Sequence, residues 1–154
     1  GIQWNDLINR KLGRDRGAAM YALIQDLLEE LNASRALGAE ARAARNAAIE
    51  GLTTLRDATE ALLRMHGESP TLALSVSVPY LKLCGLVIAG ALVARSAAVA
   101  EAALAAGNAD EDFYRGKLVT SRFYAEQVLP EAVGLARVVK GGAASVADAP
   151  VDLI

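Results

Sequence analysis

Met20, Leu23, Ile24, Leu27, Leu28 and Leu31 fall at i, i+3, i+4, i+7, i+8 and i+11. That spacing gathers bulky apolar side chains on one side of an α-helix, while Gln25, Asp26, Glu29 and Glu30 take the other. The same period recurs along most of the chain. Only "LALSVSV" (Leu72 to Val78) alternates like a strand, and a single strand has nothing to pair with. The expected fold is all-α: an up-and-down bundle of four to five helices with short connections.

The stop signals divide this pattern. A first helix, about Ile2 to Leu12, should close at Gly13, and a second runs from about Arg16 to Ala33. The third, about Ala39 to His66, carries Ala44, Ala48, Leu52, Leu55, Leu62 and Met65 on its stripe. Its wet side offers an Arg56, Glu60, Arg64 ladder at i, i+4 spacing, worth a few tenths of a kcal/mol per pair. Gly67 should cap it, with Arg64 and His66 near the negative end of the dipole. Ser69-Pro70 starts the fourth helix as N-cap and first-turn proline, and Gly107-Asn108 ends it near Ala106. Asn108 and Glu111 have capping-box spacing for a fifth helix, which stops at Lys140 before Gly141-Gly142. Pro79 and Pro130 fall inside helical segments, where a proline costs about 3 kcal/mol and bends or breaks the helix. Periodicity resumes at once after each, which favours kinks over true boundaries. Residues 1–142 then form the bundle, and 143–154 a loose tail.

Composition sets limits on function. The chain has 154 residues, 53% hydrophobic but only 5% aromatic, so small apolar residues must build close helix contacts. This length buries roughly two-thirds of the unfolded surface without a metal or disulfide staple. A net charge of −2 lacks the basic face nucleic acid requires. The lone Cys84 excludes an internal disulfide framework and fits a reducing, cytoplasmic compartment. Mean hydropathy is positive, yet the longest charge-free apolar run, Leu83 to Ala94, has 12 residues against the roughly 20 a bilayer span needs. No membrane span is expected, and nothing resembles a signal peptide.

Candidate chemistry is sparse. One histidine and one cysteine cannot assemble a His/Cys metal site, and no Glu-x-x-His pair offers a di-metal centre. His66 reads as a dipole partner and Cys84 as an inert core thiol. Gly141-Gly142 follows a helix and so cannot aim helix N–H groups at a phosphate. "FYRGKLVTSRFYAEQVLPE" (Phe113 to Glu131) concentrates aromatics, with Phe113-Tyr114 and Phe123-Tyr124 ten residues apart. Nearly three helical turns separate the pairs, so they should share one side as a core or interface stripe, or else as a ligand wall.

Three stretches together resemble one family. "GIQWNDLINRKL" is similar to the helix after the catalytic segment of acyl-CoA dehydrogenases of the 3-methylmercaptopropionyl-CoA dehydrogenase type. "YLKLCGLVIAGALVARSA" (Tyr80 to Ala97) and "FYRGKLVTSRFYAEQVLP" (Phe113 to Pro130) resemble that type's extra C-terminal helical domain. The last is the most specific, with Phe-Tyr, Lys117, Arg122-Phe-Tyr and Leu129-Pro130 in register; Ser121 replaces a more usual alanine.

The resemblance implies a parent enzyme that uses FAD to oxidise acyl-CoA to 2-enoyl-CoA. Its glutamate base stands just before the Gly-Ile-Gln with which this chain opens. Residues 1–34 would then end the dehydrogenase's helical region, and 38–142 would form the extra domain. Gly1 corresponds to a flavin contact and Arg10 to a substrate-contacting arginine; no catalytic or metal-binding residue is implied within the chain. The remainder of the dehydrogenase and further subunits of a homo-oligomer are the implied partners. The methionine-free start fits a chain severed from such an enzyme, itself structural and inactive. The alternatives are a free-standing interaction bundle and, last, an independent small-ligand binder using the Phe/Tyr stripe.

Overall fold

The computed structural model describes residues 2–34, 38–107 and 110–150, and every regular element among them is helical. α1 (Ile2–Asp6) continues through one π-helical turn (Leu7–Leu12) into the short α2 (Gly13–Asp15). Gly13 does not end this helix: its backbone stays right-handed at φ −67°. Its value is size, since a Cβ there would lie 3.3 Å from the His66 ring. The stop comes at Arg16 and Gly17, with φ of 54° and 78°, where the Gly17 N–H donates to Leu12 O at 2.9 Å. This is a Schellman-type closure with arginine in the position that favours glycine.

α3 (Ala18–Ala33) buries Ile24, Leu27 and Leu31. α4 (Ala39–Glu68) buries its expected stripe from Ala44 to Met65. It runs through Gly67 and stops one residue later than that glycine would dictate. Pro70 excludes helical geometry at Ser69 (φ −150°, ψ 101°), and this restriction sets the end. Ser69 then caps α5 (Pro70–Ser75), its hydroxyl accepting from the Leu72 N–H at 3.4 Å.

Pro79 does not kink a helix interior. The chain breaks at Val76, and Pro79 lies in the first turn of α6 (Ser77–Ala105), where a missing N–H forfeits no helical bond. The strand-like Leu72–Val78 stretch is helical apart from Val76. Beyond Gly107 (φ 69°), α7 (Glu111–Phe123) passes into a second π-helical turn (Tyr124–Val128) and then α8 (Glu131–Gly141). Leu129 and Pro130 keep right-handed backbone angles, so this run is interrupted at the proline but not separated. Asn108 of the expected capping box lies outside the described residues. After Gly142 one short helix, α9 (Ala144–Ala147), packs against α5.

α4 and α6 form the centre, and α7 and α8 pack across both. Alanines make this contact close: Ala48, Ala58, Ala91, Ala94 and Ala97 are essentially inaccessible. By length and composition α6 could cross a membrane, with a window of mean hydropathy 2.0. Tyr80, Leu83 and Val87 of this helix are fully covered by the bundle, while Leu92 and Val99 are exposed. One polar link sits at the centre: Thr59 Oγ1 donates to Leu55 O at 2.8 Å and lies 2.9 Å from the Tyr80 hydroxyl.

Candidate functional site

The π-helical turn and α3 diverge to leave an open cleft of about 710 Å³, within the range of small-molecule and peptide clefts. Leu7, Leu12, Met20 and Leu23 supply its apolar lining, and Arg10, Lys11 and Arg14 its cationic rim, with Asp15 the one acid among them. Leu23 remains 39% exposed although it belongs to the α3 stripe. That stripe is wider than the bundle covers, and the cleft is the uncovered part.

Arg10, the expected substrate contact, stands on this rim. Its guanidinium makes a forked pair with Asp6, Nε to Oδ1 at 2.5 Å and Nη2 to Oδ2 at 3.0 Å. The hydrogen bond and charge of Asp6 push the guanidinium pKa further up, so Arg10 is a permanent cation. Its side chain is 73% exposed. Gly1, the expected flavin contact, lies outside the described residues. Lys11 and Arg14 were not singled out from the sequence; the clustered run "NRKLGRDR" was the available signal.

A second groove of about 430 Å³ opens between the α2–α3 junction and the C-terminal end of α4. Arg16, Tyr21, Glu60, Arg64 and His66 line it. The Arg56, Glu60, Arg64 ladder does not form among the described residues: Arg56 approaches Asp57 at 3.8 Å instead. Exposed pairs of this kind are too weak to fix long side chains. His66 joins Asn9 through Nε2 and Oδ1 at 3.2 Å, clamping the first helical segment to α4.

Cys84 is buried, and desolvation pushes its thiol up to about 12, which removes the thiolate any nucleophilic role requires. The two Phe-Tyr pairs do not form a buried stripe. Phe113 and Phe123 are 52% and 59% exposed, and ten residues leave them about 80° short of three full turns apart. The tyrosines carry the inward contacts: the Tyr124 hydroxyl donates to Leu86 O at 2.9 Å, and Tyr114 meets the Phe113 ring edge-on. Lys117 lies over that ring at 5.1 Å.

Among the described residues, no three His, Cys, Asp or Glu side chains converge to hold a metal. Every buried side-chain N and O among them has a partner. Among the described residues the bundle thus presents no buried, unpartnered side-chain donor or acceptor for a flavin ring to satisfy.

The family model described as "acetyl-CoA dehydrogenase C-terminal like" matches residues 20–150. The chain belongs to this family. It is 33% identical over 130 residues to a 3-methylmercaptopropionyl-CoA dehydrogenase of Ruegeria pomeroyi, covering 84% of this chain and 22% of that protein. It is 34% identical over 137 residues to the broad-specificity linear acyl-CoA dehydrogenase FadE5 of Mycobacterium tuberculosis, with the same coverage of each. The chain therefore spans about a fifth of the length of these relatives. The matched region starts inside α3, so the cleft joins the family domain to the residues before it.

Proposed function

We propose that this chain is the C-terminal helical part of a cytoplasmic, FAD-dependent acyl-CoA dehydrogenase. Residues 2–34 would dock the helical region that holds flavin and thioester, and residues 38–142 would form an added domain that supports the subunit and its homo-oligomer. The observation that carries this reading is the cleft: Leu7, Met20 and Leu23 form an apolar surface that α4 and α6 do not cover. A neighbouring helix would bury it at about 25 cal/mol per Å² of apolar area.

In this role the parent would supply the carboxylate base for the α-proton of an acyl-CoA and would hold FAD, whose chemistry would be hydride acceptance. This chain's residues orient and neutralise. Arg10, held by Asp6 and fully charged, is the proposed contact to the anionic thioester ligand, and Gly1 the proposed neighbour of the flavin. By itself the chain is then structural and inactive.

The test is a visible spectrum of the 154-residue chain with added FAD, followed by an acyl-CoA and an electron-acceptor dye. The proposal expects free-flavin spectra and no dye reduction. Tight flavin binding with turnover would overturn the claim that the chain is inert alone.

A further inference from the structure

We propose that the groove lined by Arg16, Tyr21, Arg64 and His66 binds the phosphate groups of a phosphomonoester or diphosphate ligand. Arg16 and Arg64 both line this groove. Neither pairs with a carboxylate within 4 Å among the described residues, a state they share with Arg14, Arg42, Arg45 and Arg137, whereas Arg10, Arg56, Arg95, Arg115 and Arg122 do pair.

A third donor stands beside them. The Tyr21 hydroxyl has no hydrogen-bond partner among the described residues. His66 is engaged through Nε2 with Asn9 Oδ1 and adds no further donor to the groove. Glu60 is the one acid in the lining. Together with burial it raises the Tyr21 pKa, so Tyr21 remains a proton donor. Two planar forks and the Tyr21 hydroxyl exceed what a carboxylate's two oxygens can accept. They match a tetrahedral phosphate, whose three terminal oxygens each accept more than one bond. A groove of about 430 Å³ also admits more than a bare orthophosphate.

Arg16 supplies an independent indication. It is the one described non-glycine residue with positive φ, at a helix-closing position where glycine is the unstrained choice. Gly17 follows directly and is also left-handed, so the turn has not been built to avoid the strain at Arg16. An arginine held there puts its side chain into the groove at a cost in backbone energy.

The experiment is calorimetric titration of the full chain with sodium pyrophosphate in low-salt, phosphate-free buffer. The expected result is saturable one-to-one binding that Arg16→Gly and Arg64→Gln each weaken about 10- to 100-fold. Arg16→Gly relieves the left-handed strain, so its Tm should equal or exceed that of the parent chain, separating lost binding from lost folding. Adenosine diphosphate and phosphatidic acid vesicles then distinguish a soluble nucleotide-like source from a lipid headgroup. Binding of either that is lost in Arg16→Gly supports the site. Absence of saturable binding to pyrophosphate, or binding that both substitutions leave intact, overturns it. The inference does not rest on the dehydrogenase origin, since flavin spectra and pyrophosphate heats report on different parts of the chain.

Discussion

Leu129 packs so closely over Gly90 that a Cβ at Gly90 would lie 2.7 Å from Leu129 Cδ2. Leu129 is the residue before Pro130, at the point where the second π-helical turn hands over to α8. Its side chain plugs the seam between α4 and α6, where a Cβ on Gly51 of α4 would lie 3.4 Å from the same Cδ2. Methyl groups at this seam should be felt. Gly90→Ala is expected to destabilise by about 1–3 kcal/mol in urea unfolding, the overpacking outweighing the gain in helix propensity. Gly85, on the same helix with nothing near its Cβ position, should respond in the opposite direction, Gly85→Ala stabilising by about 0.5–1 kcal/mol. Equal effects at the two sites would contradict the packing described.

The centre of the bundle makes stability fall at alkaline pH. Burial pushes the Cys84 thiol from 9.0 up to about 12 and, as its largest cause, raises the Tyr80 hydroxyl further. Both groups are neutral when protonated, so their contribution is fully present below the unfolded pKa. It is lost as pH climbs from about 9 toward 12, because the unfolded chain ionises first. Each group contributes a slope approaching about 1.4 kcal/mol per pH unit in that window. Denaturant titrations at pH 7, 9 and 10.5 should show it. Cys84 should also resist iodoacetamide at pH 8 until the chain is unfolded, and rapid labelling of the folded chain would show the burial to be wrong.

Glu101 caps a helix that begins more than sixty residues before it in sequence. Its carboxylate accepts from the Gly38 N–H at 2.6 Å and from the Ala41 N–H at 3.3 Å, at the start of α4. A Cβ on residue 38 would meet Glu101 Oε1 at 2.6 Å, so glycine there makes room for the cap. Glu101→Ala should cost about 0.5–2 kcal/mol, the usual range for a lost N-cap, with amide exchange rising first near residues 38–42. Exchange rising equally throughout would assign Glu101 some other role.

Phe123→Ala tests the aromatic segment. A core phenylalanine would lose about 3–5 kcal/mol. At 59% exposure, Phe123 should lose less than about 1 kcal/mol, whereas Leu118→Ala, one buried position on the same helix, should lose about 2–5 kcal/mol. Thermal unfolding of the two variants gives the comparison directly.

Periodicity was enough to locate the helices, because Ile24, Leu27 and Leu31 or Ala44, Ala48 and Leu52 bury one face whatever packs on them. It could not place the first stop, since the residue that turns left-handed is Arg16, while Gly13 is needed for its lack of a side chain beside His66. Nor could it reveal the Glu101 cap, which links positions remote in sequence. The core alternative for the Phe-Tyr stripe fails because Phe113 and Phe123 lie on the exposed side of α7, while Tyr124 reaches in through its hydroxyl. Of the site, Arg10 was visible through its resemblance to a family arginine. The cleft beside it and the cations Lys11 and Arg14 depend on how far α3 leans from the π-helical turn, which local sequence does not encode.

Hydrogen–deuterium exchange, measured on this chain alone and on a complete dehydrogenase that contains it, tests the docking of residues 2–34 most directly. Peptides covering Leu7, Met20 and Leu23 should exchange at least tenfold more slowly in the complete enzyme, while those from α4 and α6 stay unchanged. Identical exchange around the cleft in both samples would contradict the account.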